Sequence, residues 1–264
     1  MPAKKFLLSI LAAAALATAN ADIRWPTPSK DFAQGKPPAE FLQPTVSGNP
    51  ASGGFGDVRN NGYRFHEAID IKPTKRNRRG EPLDDIYAAM DGKVAMVNKL
   101  AGNSGYGRYV VLIHPQCDVE VYTLYAHMSA IDPNISIGSQ VKAGARLGQM
   151  GRSARYSIAR PQAHLHFEIG LMLSDRFDKW YTESKRFKEK NFFGNYNGIN
   201  LVGFDPLDFY TKARDGQIDD GFKGHILSLP VAIVVRIYTR RTPAKNAAGI
   251  SRSHGSECRQ NSSA

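Results

Sequence analysis

Ala163-His164-Leu165-His166-Phe167-Glu168-Ile169 alternates without a break, with His164, His166 and Glu168 in one register and Leu165, Phe167 and Ile169 in the other. Successive side chains of a β-strand point to opposite faces, so this period of two predicts a strand with one face in a core and the other carrying chemistry. Outward from it, short β-branched and aromatic runs at 87–90, 93–98, 109–114, 119–127 and 141–147 alternate with glycine turns. That spacing predicts a mainly β, antiparallel domain with few helices. On the C-terminal side, Phe177, Trp180, Tyr181 and Phe187 fall near helical spacing after Ser174, so 174–190 reads as an inserted amphipathic helix with Ser174 at its N-cap. Asp205-Pro206-Leu207-Asp208-Phe209-Tyr210 reads as the closing edge of the domain.

The ends read differently. Lys4 and Lys5 precede an apolar run over 6–17, and Ala19-Asn20-Ala21 supplies small residues at cleavage spacing, so 1–21 is predicted to be a signal peptide cut after Ala21. Twelve apolar residues are too few for a membrane anchor, which needs roughly 20. Residues 22–53 are rich in Pro, Ser and Gly and predict a linker or wrapping arm. The formal charge of +11 is uneven: +9 without the leader, of which +6 lies from Phe222 onward and only +3 in the body. A basic tail rather than a basic groove argues against nucleic acid. In an exported protein the tail, 211–264, would contact anionic wall polymer or a membrane surface, with little fixed structure expected beyond Gly221. Cys117 and Cys258 are the only cysteines. An oxidising compartment permits one bridge between them, and two free thiols are the alternative.

The chemistry concentrates in two distant elements, His66-Glu67-Ala68-Ile69-Asp70 and His164-Leu165-His166. A zinc peptidase site takes three ligands from histidine and carboxylate and leaves a fourth position for water. His66, Asp70 and one of the two strand histidines meet that need, and the other histidine would handle protons. His127, ending the run Tyr122-Thr123-Leu124-Tyr125-Ala126, is a second proton-handling imidazole at a strand end. A helical reading of 66–70 with Glu67 as general base is disfavoured, because Ile69-Asp70-Ile71 followed shortly by Pro73 reads as a strand. His114 reads as structural, His225 and His254 as solvent-facing tail residues, and Glu168 equally as a support for the site or as an edge hydrogen bond.

From about Gly54 to Tyr210 these elements, in this order, resemble the lysostaphin/LytM-type zinc endopeptidases. Gly54-Phe55-Gly56 with Arg59 resembles the family's opening turn, and His66 with Asp70 matches H-x-x-x-D. Gly105-Tyr106-Gly107 precedes the central strand, Tyr125-Ala126-His127-Met128-Ser129 matches Y-x-H-L-S with Met for Leu, and His164-Leu165-His166-Phe167-Glu168 matches H-L-H-F-E in full. The resemblance implies an antiparallel sheet or sandwich-hybrid core over 54–210 with an open groove and a helical insertion at about 174–200. It implies one zinc per chain held by His66, Asp70 and His166, with His127 and His164 catalytic: His164 as general base, His127 orienting water or steadying the oxyanion. The implied activity is hydrolysis of amide bonds in peptidoglycan stem peptides or cross-bridges, in the periplasm, cell envelope or medium. The alternative from another class is a non-catalytic regulator of other wall hydrolases. The sequence departs from the family pattern at Ala68, where the family has glycine, and over 152–162, which is longer than the family's turn and carries Arg152, Arg155 and Arg160.

Overall fold

The computed structural model describes residues 23–59, 64–115, 120–218 and 221–229. The expected signal peptide, both cysteines, His254 and the end of the tail lie outside the described residues. The chain order begins with a four-residue helix α1 (Pro38–Phe41), a short hairpin β1 (Val58–Arg59) and β2 (Arg64–Phe65), then β3 (Ile69–Ile71) and β4 (Asp85–Tyr87). There follow β5 (Gly92–Asn98), β6 (Tyr109–His114), β7 (Val121–Ala126), β8 (Ala130–Ile131), β9 (Gln140–Val141) and β10 (Arg146–Gln149). The long β11 (Leu165–Met172), α2 (Phe177–Glu183), β12 (Leu201–Phe204), α3 (Pro206–Arg214) and α4 (Gly221–Ser228) complete it. The fold is mainly antiparallel β.

The principal sheet runs β12-β11-β7-β6-β5-β9, and β3 shares the β12 edge of β11. A smaller sheet, β4-β10-β8, packs beside it. Leu165, Phe167 and Ile169 of β11 are fully buried in the main core with Ile69, Ile71, Val110, Leu112 and Tyr125. The opposite face of the sheet buries Tyr109, Val111, Tyr122, Leu124 and Ala126 under Phe193, Tyr196 and Leu201. Both faces of the sheet are therefore covered, the second by the insertion.

Four segments differ from the sequence expectation. Of the expected run over 87–90 only Tyr87 lies in a strand, at the end of β4. The insertion is helical only over Phe177–Glu183, because Lys185 takes a left-handed φ of 52° and ends the run. Ser174 lies before the cap, its Oγ accepting from Arg176 N at 3.1 Å. The expected strand over 141–147 is two short strands, β9 and β10, separated by a turn at Gly144 with φ 79°. Residues 221–229, expected to carry little fixed structure, include α4, whose Phe222 stacks on Phe209 at 4.5 Å. His225, expected to face solvent, is buried against Phe204 and Phe209. An apolar surface left by α3 decides this, and composition alone does not reveal it.

The arm wraps. Trp25 stacks on Phe32 at 4.8 Å, Phe41 and Tyr210 meet both edge-on, and the Tyr210 hydroxyl donates to Arg24 O at 2.6 Å. Residues 41–43 then lie along the free edge of β3, with Gln43 N donating to Asp70 O and Lys72 N donating to Phe41 O.

Candidate metal centre

Strand register assembles the site. On β11, His166 stands directly opposite Asp70 of β3 on one side and Ala126 of β7 on the other. His127 therefore emerges beside His166 at the end of β7, and His164 one step before β11. His66 is brought over by the hairpin: its N donates to Asp57 O, and Gly56 N donates to its carbonyl. His127 has a left-handed φ of 59°, which turns its ring out of the β7 ladder and toward His164. The two rings meet edge to face at 4.8 Å between centroids. Gly107 is required where it stands: its φ is 66°, and a Cβ there would collide with the Ser153 carbonyl.

Each imidazole is held in one tautomer. His66 Nδ1 lies 2.6 Å from Gly54 O, His127 Nδ1 2.8 Å from Ser153 O and His164 Nδ1 2.5 Å from Gln162 O. A carbonyl only accepts, so Nδ1 carries the proton and Nε2 presents a lone pair. His166 is reversed, because its Nε2 lies 3.0 Å from Glu168 Oε1 and its lone pair is on Nδ1. Three of these lone pairs converge on one acceptor, Asp70 Oδ1: His66 Nε2 at 3.1 Å, His166 Nδ1 at 3.2 Å and His164 Nε2 at 3.4 Å. Acceptors gathered this way repel unless a positive charge sits among them: a proton on His166 Nδ1 shared with Asp70 Oδ1, or a metal cation in its place. Ligand atoms of His66, Asp70 and His166 all lie within 4.8 Å of one another, so this buried set could hold a metal ion. Two imidazole nitrogens and a carboxylate oxygen suit zinc.

The electrostatics agree. Burial alone would push the Asp70 carboxyl up, but His164, His166 and His66 outweigh it and hold it well below the usual carboxylate range. Without a cation, burial works to lower His166, yet the Asp70 and Glu168 carboxylates hold it up at about 10. Burial pushes His127 well below the ordinary histidine value, aided by His164 and His166. Burial also lowers His164, against the pull of Asp70. Both are neutral proton acceptors near pH 7. Of His66, Asp70, His164 and His166, His164 has the most exposed side chain, at 12%, which makes it the one best placed to meet a solvent-borne reactant.

The structure thus brings together all five side chains singled out in the sequence. It also gives a place at the site to groups that the sequence reading named only as motif positions, Arg59, Gly54 and Tyr106, or passed over. Arg59 donates to Asp70 Oδ2 at 2.9 Å and to Ser52 O, leaving Oδ1 to the histidines. Gly54 O, Ser153 O and Gln162 O are backbone groups, whose role no motif marks. Tyr106 lies against the His166 ring at 5.5 Å and donates to Glu67 Oε1 at 3.4 Å. The arginines of 152–162 are taken up by ion pairs: Arg152 and Arg160 with Glu81, and Arg155 with Glu189 of the insertion. His114 is buried and hydrogen-bonded far from the centre, as a structural residue would be.

Residues 64–176 match the model of peptidase family M23. No curated protein sequence matches the chain. Among solved structures, a zinc-containing peptidase from Vibrio cholerae is 24% identical, with 56% of this chain and 36% of that one covered at a TM-score of 0.38. Csd3 from Helicobacter pylori is 29% identical, with 45% and 28% covered at 0.32. The catalytic domain of the antimicrobial peptidase lysostaphin from Staphylococcus simulans is 21% identical, with 60% and 89% covered at 0.38. The match spans only about a third of the length of the first two proteins. These overlaps are partial, so weight rests on the family match, whose span includes His66, Asp70, His127, His164 and His166. Residues 64–176, which hold all five of these side chains, are similar to peptidase family M23.

Proposed function

We propose that this chain is an exported zinc-dependent endopeptidase that hydrolyses amide bonds in peptidoglycan stem peptides or cross-bridges. The observation that carries the reading is the convergence of three imidazole lone pairs on Asp70 Oδ1, with a fourth neutral imidazole, His127, against His164. His66, Asp70 and His166 are the ligands in this reading. Zinc, when bound, acidifies water and polarises a carbonyl.

The chain's own groups do the rest. His164 Nε2 accepts the proton of the attacking water as general base, its ring fixed by the hydrogen bond from Nδ1 to Gln162 O. His127, fixed by Ser153 O, offers its own Nε2 to orient water or, once protonated, to steady the developing oxyanion. Arg59 draws charge from Asp70 Oδ2, so that Oδ1 serves as the single ligand oxygen. The insertion borders the site, its Glu189 paired with Arg155 of the 152–162 segment, and forms one wall of a groove for the peptide. The basic tail and the leader fit an envelope or periplasmic location, and no helix among the described residues is long and apolar enough to cross a membrane.

The test is digestion of purified sacculi with mass identification of the released fragments and a zinc determination on the same protein. Wild type should release peptide fragments and carry one zinc. His166→Ala should lose both. His164→Ala should keep its zinc while turnover falls about 10²–10⁴-fold. A wild-type protein that carries zinc, leaves sacculi intact and stimulates a second hydrolase would replace this reading with the non-catalytic regulator.

A further inference from the structure

Glu168 lies at the centre of the sheet and is fully buried. Its two oxygens are both engaged: Oε1 accepts from His166 Nε2 at 3.0 Å and Oε2 accepts from the Tyr122 hydroxyl at 2.7 Å. It stands opposite Leu124 in the strand register, so it belongs to the face formed by Tyr109, Val111, Tyr122, Leu124 and Ala126. Met96 and Tyr106 pack over that face together with Phe193 and Tyr196 of the insertion and Leu201. Phe193 packs on Tyr109 at 5.7 Å, and the Tyr109 hydroxyl donates to Tyr196 O at 3.4 Å. A carboxylate is expensive to bury, and the hydrogen bond from the Tyr122 hydroxyl does not by itself explain placing one here.

We propose that Glu168 is a positioning residue for the metal centre, locking His166 in the tautomer that turns Nδ1 toward the cation. The insertion, together with Tyr106, keeps this carboxylate dry. The proposal rests on the reading of His66, Asp70 and His166 as metal ligands. An Nε2–H held by a carboxylate leaves Nδ1 as the only ligating nitrogen and fixes the ring plane. It also increases the electron density that His166 can donate, and water at the same spot would weaken both effects. Tyr122 anchors the far oxygen, so the carboxylate cannot rotate away from the imidazole. Glu168 touches neither substrate nor reacting atoms and acts only through His166.

The experiment is zinc titration of the metal-free protein against a chromophoric chelator, paired with thermal unfolding of the same metal-free samples. Glu168→Gln keeps the shape and removes the charge. The expected result is zinc affinity about 10–100-fold weaker than wild type, with metal-free unfolding close to wild type. Tyr122→Phe, which keeps the carboxylate on His166 but frees its other oxygen, is expected to weaken zinc binding by less. Wild-type affinity in Glu168→Gln, with or without lost metal-free stability, would overturn the proposal and leave Glu168 a packing residue. Should Glu168→Gln not fold, unchanged affinity in Tyr122→Phe overturns it. A wild-type protein that takes up no zinc sinks the metal reading itself, whereas zinc lost in His166→Ala but kept in Glu168→Gln sinks this proposal alone.

Discussion

Four of the described histidines share one device: Nδ1 is tied to a backbone carbonyl, which leaves Nε2 as the free nitrogen. In His66, His127 and His164 the free nitrogen serves the candidate centre. In His114 the same arrangement, with Asp91 O as acceptor, points Nε2 at the Thr123 hydroxyl at 2.8 Å inside an apolar core. Burial lowers His114 from 6.5 to about 4. The folded protein therefore resists a proton that the unfolded chain takes up between those values. His114 stabilises the fold fully above pH 6.5, and that contribution is lost as pH falls toward 4. The interval of about 2.5 units corresponds to an upper bound of about 3 kcal/mol. Urea unfolding at pH 6.5 and 4.5 should show a smaller loss for His114→Gln than for wild type. Equal slopes in the two proteins would show that His114 takes up its proton without cost.

At the scale of elements, the Pro-rich arm belongs to the same folded domain as the candidate metal centre. Its backbone supplies Ser52 O to Arg59 and Gln43 N to the carbonyl of Asp70, and it leads directly into Gly54, whose carbonyl holds His66. Phe41, 2% exposed, anchors this segment between Trp25 and Phe32. Phe41→Ala should destabilise the domain by about 3–5 kcal/mol in denaturant titration. Zinc affinity should fall with it, because Asp70 loses the strand edge that fixes its backbone. Destabilisation with undiminished zinc affinity would mean that β3 holds Asp70 without the arm. The proline composition of 22–53 leaves linker and wrapping arm both open, because proline and glycine interrupt periodicity. The aromatic residues spaced through it, Trp25, Phe32 and Phe41, favour the wrapping arm.

At the scale of the whole molecule, charge and core are separated along the chain. The net +6 that begins at Phe222 lies mostly beyond Leu229, whereas the body carries only +3. Electrostatic adsorption scales with this local density and is screened by salt. A chain ending at Leu229 should bind anionic vesicles or anionic wall polymer more weakly and with a shallower salt dependence in a sedimentation assay. Its unfolding should be unchanged, since α4 and its contact of Phe222 with Phe209 are retained. Equal adsorption of both forms would move the binding surface to the body.

The sequence by itself determined the β11 strand, its two-faced alternation, the antiparallel class and the five polar side chains. Each of these follows from a local period or a short motif with a chemical meaning. Only the tertiary structure decided how those side chains are oriented. The pairing of His166 with Asp70 across strands sets which atoms converge, and carbonyls of Gly54, Ser153 and Gln162 set the tautomers. Backbone carbonyls are the same in every residue and leave no trace in composition. The burial of Glu168 and of His225 was likewise hidden, because whether a polar side chain is dry depends on what distant segments pack over it.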